Sequence, residues 1–300
     1  MSERSGNQDF RCAIVTGASG TLGSMIAIAL VRRGVSVVAI GRSRDRLEAL
    51  KQRVQPELAN KLHLVPLDVT DFLAVQSTVQ QAAEEHGPPQ ILVNGAGNYG
   101  VIGNVAETDP TAWRLALDVN LMGAYNCCRS VLPYMIAARG GSIISLAGGG
   151  ASGPLEHLSS YGVSKAAIVR LMDSIAGEVS AFGVRANAIL PGPVDSPMQD
   201  QLLSAGAKAG HWHEKIRALR ERGEGGVDPA RTVALIEFLL FGLGISLSGK
   251  LLSARYDHFQ DWTAEQVTQI SRSSLYSLRR VDPVTIFEAL KIPFIKDQQA

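Results

Sequence analysis

The chain is poor in the residues that would commit it to an oxidising compartment or a metal centre. Only three of its 300 residues are cysteines, Cys12 and the adjacent Cys127 and Cys128, so no disulfide framework or CxxC site can be built. That usage fits a reducing, cytoplasmic setting. An excess of one charge is lacking too: Lys and Arg number 29 against 28 Asp and Glu, a formal net charge of +1. With no basic stripe to neutralise phosphates, nucleic acid is not an expected partner. Long apolar runs are also missing. "TVALIEFLLFGLGISLSG", 232–249, is the most apolar stretch, and Glu237 and three glycines interrupt it. A membrane span needs about twenty consecutive apolar residues, so this reads as a buried helix and a turn, with no membrane partner. The start, "MSERSGNQDFR", has no apolar core of the signal-peptide kind. His211 and His213 are the nearest approach to a metal pair, and no further ligand at suitable spacing joins them, so no metal is expected.

What the chain does have is 46% hydrophobic and 19% charged content, enough for one substantial core and one large domain. Short runs rich in Val, Ile and Leu ("CAIVT", "SVVAI", "LHLVPL", "ILVNG", "SIISLA", "VRANAIL", "GKLLSA") alternate with helix-length segments near 21–33, 44–55, 71–86, 111–138, 160–182 and 229–241. Strands buried on both faces read as continuous apolar runs, and parallel neighbours need a crossover that a helix supplies. The pattern predicts an α/β fold with a doubly wound parallel sheet of the Rossmann type. Asp228 before Pro229 predicts an N-cap and first helical residue.

The first strand-to-helix turn reads "VTGASGTLGS". Gly17, Gly20 and Gly23, with Ser19, Thr21 and Leu22 between them, follow a strand and open a helix. Glycines there allow a tight turn and let backbone N–H groups approach a pyrophosphate at the helix N-terminus. At the end of the second strand, "AIGRSRDR" puts Gly41 where an NAD-preferring site usually carries an acid, and Arg42 follows it. A basic residue there accommodates a 2′-phosphate, so NADP(H) is favoured, with NAD(H) the alternative. Asp68 and Val69 end the third strand, and Asn94, Ala96 and Gly97 lie at the end of the fourth. Ligands of open α/β sheets bind beyond the carboxyl ends of strands, so these positions converge on one crevice. Tyr161 and Lys165, four apart, share one face of a helix. An ammonium beside a phenol would stabilise the phenolate and draw its pKa down from about 10.

The segments "TGASGTLG", "DV" at 68, "NGAG" at 94, "DVNLMG" around Asn120, "YGVSK" and "NAILPGPVDSPM" together resemble the short-chain dehydrogenase/reductase family in its compact single-domain branch, over about residues 11–255. The resemblance implies hydride transfer between a nicotinamide and a small-molecule carbonyl or secondary alcohol. Tyr161 would be the general acid/base, Lys165 would bind the nicotinamide ribose and activate it, and Asn120 would hold a proton-relay water. Pro191, Gly192, Val194 and Ser196 would line the nicotinamide. The long helices at 111–138 and 160–182 imply a homodimer or homotetramer, and 198–227 lies where the family inserts its substrate lid.

The resemblance is not uniform. The TGxxGxxG spacing resembles the extended branch that works on nucleotide sugars, which leaves a sugar-modifying activity through transient oxidation as an alternative. The family's catalytic domain accounts for 1–257; residues 258–300 run past its usual end and are expected to pack on the domain or on a neighbouring subunit. Relatives carry a serine thirteen residues before the tyrosine, and here that position is Gly148. Ser145, on the preceding strand, should face the other way, whereas Ser152 or the backbone of the "GGGAS" turn could take over the lost hydrogen bond. A cofactor-binding sensor or scaffold with a disabled site is the third reading that Gly148 leaves open.

Overall fold

A computed structural model of the chain describes residues 10–223 and 226–279. Seven strands form one parallel sheet in the order β3-β2-β1-β4-β5-β6-β7: β1 (Cys12–Thr16), β2 (Ser36–Gly41), β3 (Leu62–Pro66), β4 (Ile91–Asn94), β5 (Gly141–Leu146), β6 (Val184–Leu190) and β7 (Leu251–Ser253). The connecting helices are α1 (Thr21–Arg32), α2 (Arg44–Lys51), α3 (Phe72–His86), α4 (Pro110–Leu117), α5 (Gly123–Ala137), α6 (Ser159–Val179), α7 (Pro197–Ala205), α8 (His211–Glu221), α9 (Pro229–Phe241) and α10 (Ala264–Ser271). The predicted doubly wound α/β architecture is therefore the one observed.

Alternation along each strand divides the core in two. Ala13 and Val15 of β1 pack with Ile26 and Leu30 of α1 and with Leu235 and Leu239 of α9. Cys12 and Ile14 face the other way, onto Val75 and Val79 of α3, Val131 of α5 and Met172 of α6. Ile14, Ile143 and Ile144 are wholly buried, and each side chain of that size contributes about 1.5–3 kcal/mol by leaving water. All three cysteines are buried and unbridged, as the composition implied. No helix among the described residues is long and apolar enough to cross a membrane, and no cluster of three metal-ligating side chains occurs among them.

The order reverses between β1 and β4, each of which continues outward in its own direction. Side chains and turns at those two carboxyl ends flank the crevice where open α/β sheets bind ligands. The segment predicted as one helix over 111–138 is broken by a π-turn at Asp118–Met122. Asp228 caps α9 by accepting from the Ala230 N–H, as expected of an Asp-Pro helix start.

Past β7, Thr263 and Gln266 form a reciprocal capping box at the start of α10. The following residues lie along the sheet edge. Leu251 N–H donates to Tyr276 O at 2.6 Å, and Lys250 Nζ donates to Ser273 O at 2.6 Å and Leu275 O at 3.1 Å. Up to Arg279 the extension thus packs on its own domain; the apolar "VTIFEALKIPFI" lies outside the described residues.

Candidate active site

Gly17 carries a left-handed φ of +68°, and a Cβ on it would sit 2.5 Å from the Gly95 carbonyl carbon. Both constraints admit only glycine, and they press the first turn against the end of β4. Thr16 Oγ1 completes that junction by accepting from Gly95 N–H and Ala96 N–H at 3.1 and 3.2 Å. A Cβ on Gly23 would lie 2.2 Å from Gly17 O, so this glycine seats α1 on the turn. Gly20 is exposed and caps α1 without a side-chain hydrogen bond, and no acid lies in the helix's first turn. The N-terminal N–H groups beside Thr21 and Leu22 therefore suit an anion.

At the end of β2 a Cβ on Gly41 would fall 2.7 Å from Ser19 Oγ. Any side chain at 41 would require Ser19 to turn aside. Arg42 follows, exposed. Asp68 accepts from both Thr70 N–H and Thr70 Oγ1, and buried Val69 packs against Gly123, so these two also build the turn into α3. Asn94 departs from its expected place. Its side chain is 4% exposed and donates to Ser145 Oγ at 3.1 Å and Cys128 Sγ at 3.4 Å, bracing β4 against β5 and α5 rather than facing the crevice. Ser145 is likewise turned inward, donating to Met172 Sδ.

The π-turn places Asn120. Its Oδ1 accepts from Asn98 N–H at 2.8 Å, and its Nδ2 donates to Asn98 O at 2.9 Å and to Ser164 Oγ at 2.8 Å. A single amide thus ties α6 to the loop after β4, a link that an uninterrupted helix would present differently. Gly97 lies between the catalytic candidates: a Cβ there would meet Asn120 Oδ1 at 3.1 Å and Lys165 Nζ at 3.4 Å.

Tyr161 and Lys165 come from α6. Lys165 is 6% exposed, donates to Leu146 O at 2.8 Å, and sits 5.6 Å from the Tyr161 ring centroid. Burial lowers its pKa from 10.5 to about 8. The Tyr161 phenol moves the other way from the sequence expectation. Burial pushes it above its ordinary range, and the Tyr99 phenol adds to the rise. The lysine reaches the tyrosine over the ring and gives a hydrogen bond to a carbonyl, so desolvation outweighs charge stabilisation at the phenol.

After β6, Pro191 and Val194 are buried, Gly192 has φ +80°, and Ser196 starts α7 without using its hydroxyl as a cap. Helices α7 and α8 fold over Tyr161. Leu202, Ala209 and Ile216 pack with Leu158, Tyr99, Ile102 and Tyr161 in one apolar cluster. Arg220 of α8 fastens this cover, donating to Asp195 Oδ1 and reaching Asp200 Oδ1, both at 2.8 Å. The charge run on α8 is an outer face, with Arg217 paired to Glu214 and Glu221, while Trp212 donates to Glu156 O and His211 stays exposed. Ser152, offered as a stand-in for the missing serine, is exposed. Tyr99 has no place in a motif and emerges only from the fold.

The family model for short chain dehydrogenases matches residues 11–206. A 2-dehydro-3-deoxy-L-rhamnonate dehydrogenase (NAD(+)) from Sphingomonas sp. (strain SKA58) is 33% identical over 202 residues, 67% of this chain and 79% of that protein. Oxidoreductase UcpA of Salmonella typhimurium is 36% identical, over 64% of this chain and 72% of its own. Among solved structures, an NAD+-bound xylitol dehydrogenase superposes with a TM-score of 0.74 at 26% identity, covering 82% of this chain and 98% of the other. An actinorhodin polyketide ketoreductase with NADPH gives the same TM-score at 24% identity, over 82% and 95% of the two chains, a likeness of fold. With the sheet order, the glycine turn and the matched span in agreement, the chain belongs to the short-chain dehydrogenase/reductase family of NAD(P)-dependent oxidoreductases.

Proposed function

We propose that the protein is an NADP(H)-preferring oxidoreductase that interconverts a small-molecule carbonyl and secondary alcohol, with Tyr161 as general acid/base. The observation that carries this reading is the meeting of Lys165 and Asn120 at Gly97, with the Tyr161 ring 5.6 Å from Lys165 Nζ and its hydroxyl against Gly148. The residues fit the cofactor. Gly20 leaves an uncapped helix start for a pyrophosphate, and Lys165 is a buried ammonium whose partner is a carbonyl rather than a carboxylate. Gly41 offers no carboxylate at the 2′ position and exposed Arg42 follows it, which supports NADP(H) over NAD(H).

Bound there, the cofactor would supply or accept the hydride. The chain's own part is the proton. Tyr161 Oη gives it to the developing alkoxide in reduction and takes it back in oxidation. Burial keeps the phenol in its protonated form and makes it a weaker acid than a free phenol, so a positive charge brought closer would ease the proton transfer in both directions. Lys165 would hold the nicotinamide ribose, and Asn120 would hold the loop after β4 in place, with Pro191, Gly192, Val194 and Ser196 lining the nicotinamide side. Leu115, Met122, Tyr125 and Val163 are 43–51% exposed on α4, the π-turn, α5 and α6, which supports a homodimer or homotetramer through that face.

Titrating the protein with NADPH and NADH, and following reduced-nicotinamide absorbance with small ketones, tests the proposal. Tighter binding of NADPH is expected, narrowed by Arg42→Ala. Tyr161→Phe is expected to cut turnover by about 10²- to 10⁴-fold. Unaltered turnover in Tyr161→Phe rules out the tyrosine mechanism, and cofactor binding without turnover of any ketone returns the sensor reading.

A further inference from the structure

The space beside Gly148 is occupied. A Cβ at this position would lie 2.4 Å from Tyr161 Oη and 3.1 Å from Cζ, because the phenol itself lies against the backbone there. Glycine at 148 is therefore a condition for where Tyr161 sits, and a serine at 148 would have to push the phenol away before its hydroxyl could help. The second polar contact for a substrate oxygen must come from elsewhere. Tyr99 stands beside the Tyr161 phenol. Its ring stands edge-on to that of Tyr161, with centroids 4.8 Å apart and planes at 65°, inside the same apolar cluster under α7 and α8.

Its backbone is fixed on both sides. Asn120 clamps Asn98 through N–H and C=O, Asn98 Oδ1 accepts from Gly100 N–H at 2.9 Å, and Ser160 Oγ donates to Tyr99 O at 3.2 Å. Gly100, at φ +66°, is wedged so tightly that a Cβ would fall 2.7 Å from Ala116 Cβ. The amide of Asn120 and the helix that carries Tyr161 thus hold the Tyr99 backbone as well. Such rigid support for a loop residue is what a group needs if it is to meet a reacting atom in a set geometry.

We propose that the Tyr99 phenol is a second hydrogen-bond donor to the substrate's reacting oxygen, in place of any side chain at position 148. The proposal rests on Tyr161 being the acid/base. Tyr99→Phe keeps the ring and its edge-to-face packing and removes only the hydroxyl. With acetophenone as the probe, matched to the apolar surroundings of Ile102, Leu155 and Leu202, Tyr99→Phe is expected to lower kcat about 10²-fold, the usual cost of one transition-state donor. NADPH affinity should be unchanged. Independently of turnover, acetophenone should bind the protein–NADP+ complex ~3- to 10-fold more weakly in Tyr99→Phe, the share of one neutral hydrogen bond. Gly148→Ser is expected to lose turnover rather than gain it.

Wild-type kcat and acetophenone affinity in Tyr99→Phe, with Tyr161→Phe inactive, would overturn the Tyr99 role and leave the tyrosine mechanism standing. Both variants running at the wild-type rate would remove the mechanism and the role together. A more active Gly148→Ser would show that the gap at 148 accepts a donor, and would also overturn the proposal.

Discussion

Two lysines in this fold share their chemistry and differ in everything around it. Lys165 in the crevice is 6% exposed and Lys250 at the sheet edge is 4% exposed; burial lowers both from 10.5 to about 8. Both donate to backbone carbonyls. Lys250 gives two hydrogen bonds, to Ser273 and Leu275, and lies beneath a segment that Arg170 and Arg279 also fasten through Leu278 O and Asp173. Among the described residues Lys165 has one acceptor, Leu146 O, and next to it stand the Tyr161 ring and the missing side chain of Gly97. A perturbed lysine alone does not mark a site. What separates the two is spare donor capacity beside a glycine-lined opening, against donor capacity already spent on the chain itself.

The largest effect should come from exchanging the two. Lys165→Met is expected to reduce turnover at least about 10²-fold while the protein still folds, since a methionine fills similar volume without a buried charge. Lys250→Met should turn over ketones at the wild-type rate. Equal losses in the two variants would show that the crevice lysine has no special role and would dissolve the contrast.

The next effect reverses the ranking. Lys250→Met leaves the partly buried Ser273 O and Leu275 O without their donor, and each lost hydrogen bond costs about 0.5–1.5 kcal/mol. Thermal unfolding should fall accordingly, and limited proteolysis should cut first within 272–279. Edge strands are templates for pairing with other chains, and this segment covers that of β7. New higher oligomers of Lys250→Met in sedimentation would therefore fit the same account, whereas unchanged stability and protease resistance would refute it.

These two lysines also show what was legible in the sequence. The seven strands, the glycine turn, Lys165 and the gap at Gly148 could all be read, because strands buried on both faces and backbone turns leave local patterns. Lys250 could not be picked out, since its burial comes from residues more than twenty positions away along the chain. Tyr99 was hidden for the same reason: its partner Tyr161 lies on α6 and meets it only through the crossover. Asn94 was legible as a position but not as a direction, because Ser145 and Cys128, which turn it inward, belong to other elements. The π-turn that places Asn120 escaped a helical period that runs on through it.

The smallest effect concerns pH, and there the two lysines should behave alike. Each is depressed in the folded chain, so between about pH 8 and 10.5 the unfolded state binds the more protons, and stability rises with pH through that window. Opposing groups enter from above. Cys12 and Cys128 are raised by burial from 9.0 to about 12, and Tyr99 and Tyr276 from 10.0 to about 12. Their contribution is complete below the unfolded value and lost as the pH climbs past it, which should turn the rise over near pH 9. Differences between wild type and variant cancel those groups. Lys165→Met and Lys250→Met should each remove on the order of 1 kcal/mol of the gain between pH 8 and 9, measured by chemical denaturation. If only one of them does, the other ammonium is stabilised in the folded chain by a charge or by water, and the two sites differ in electrostatics as well as in purpose.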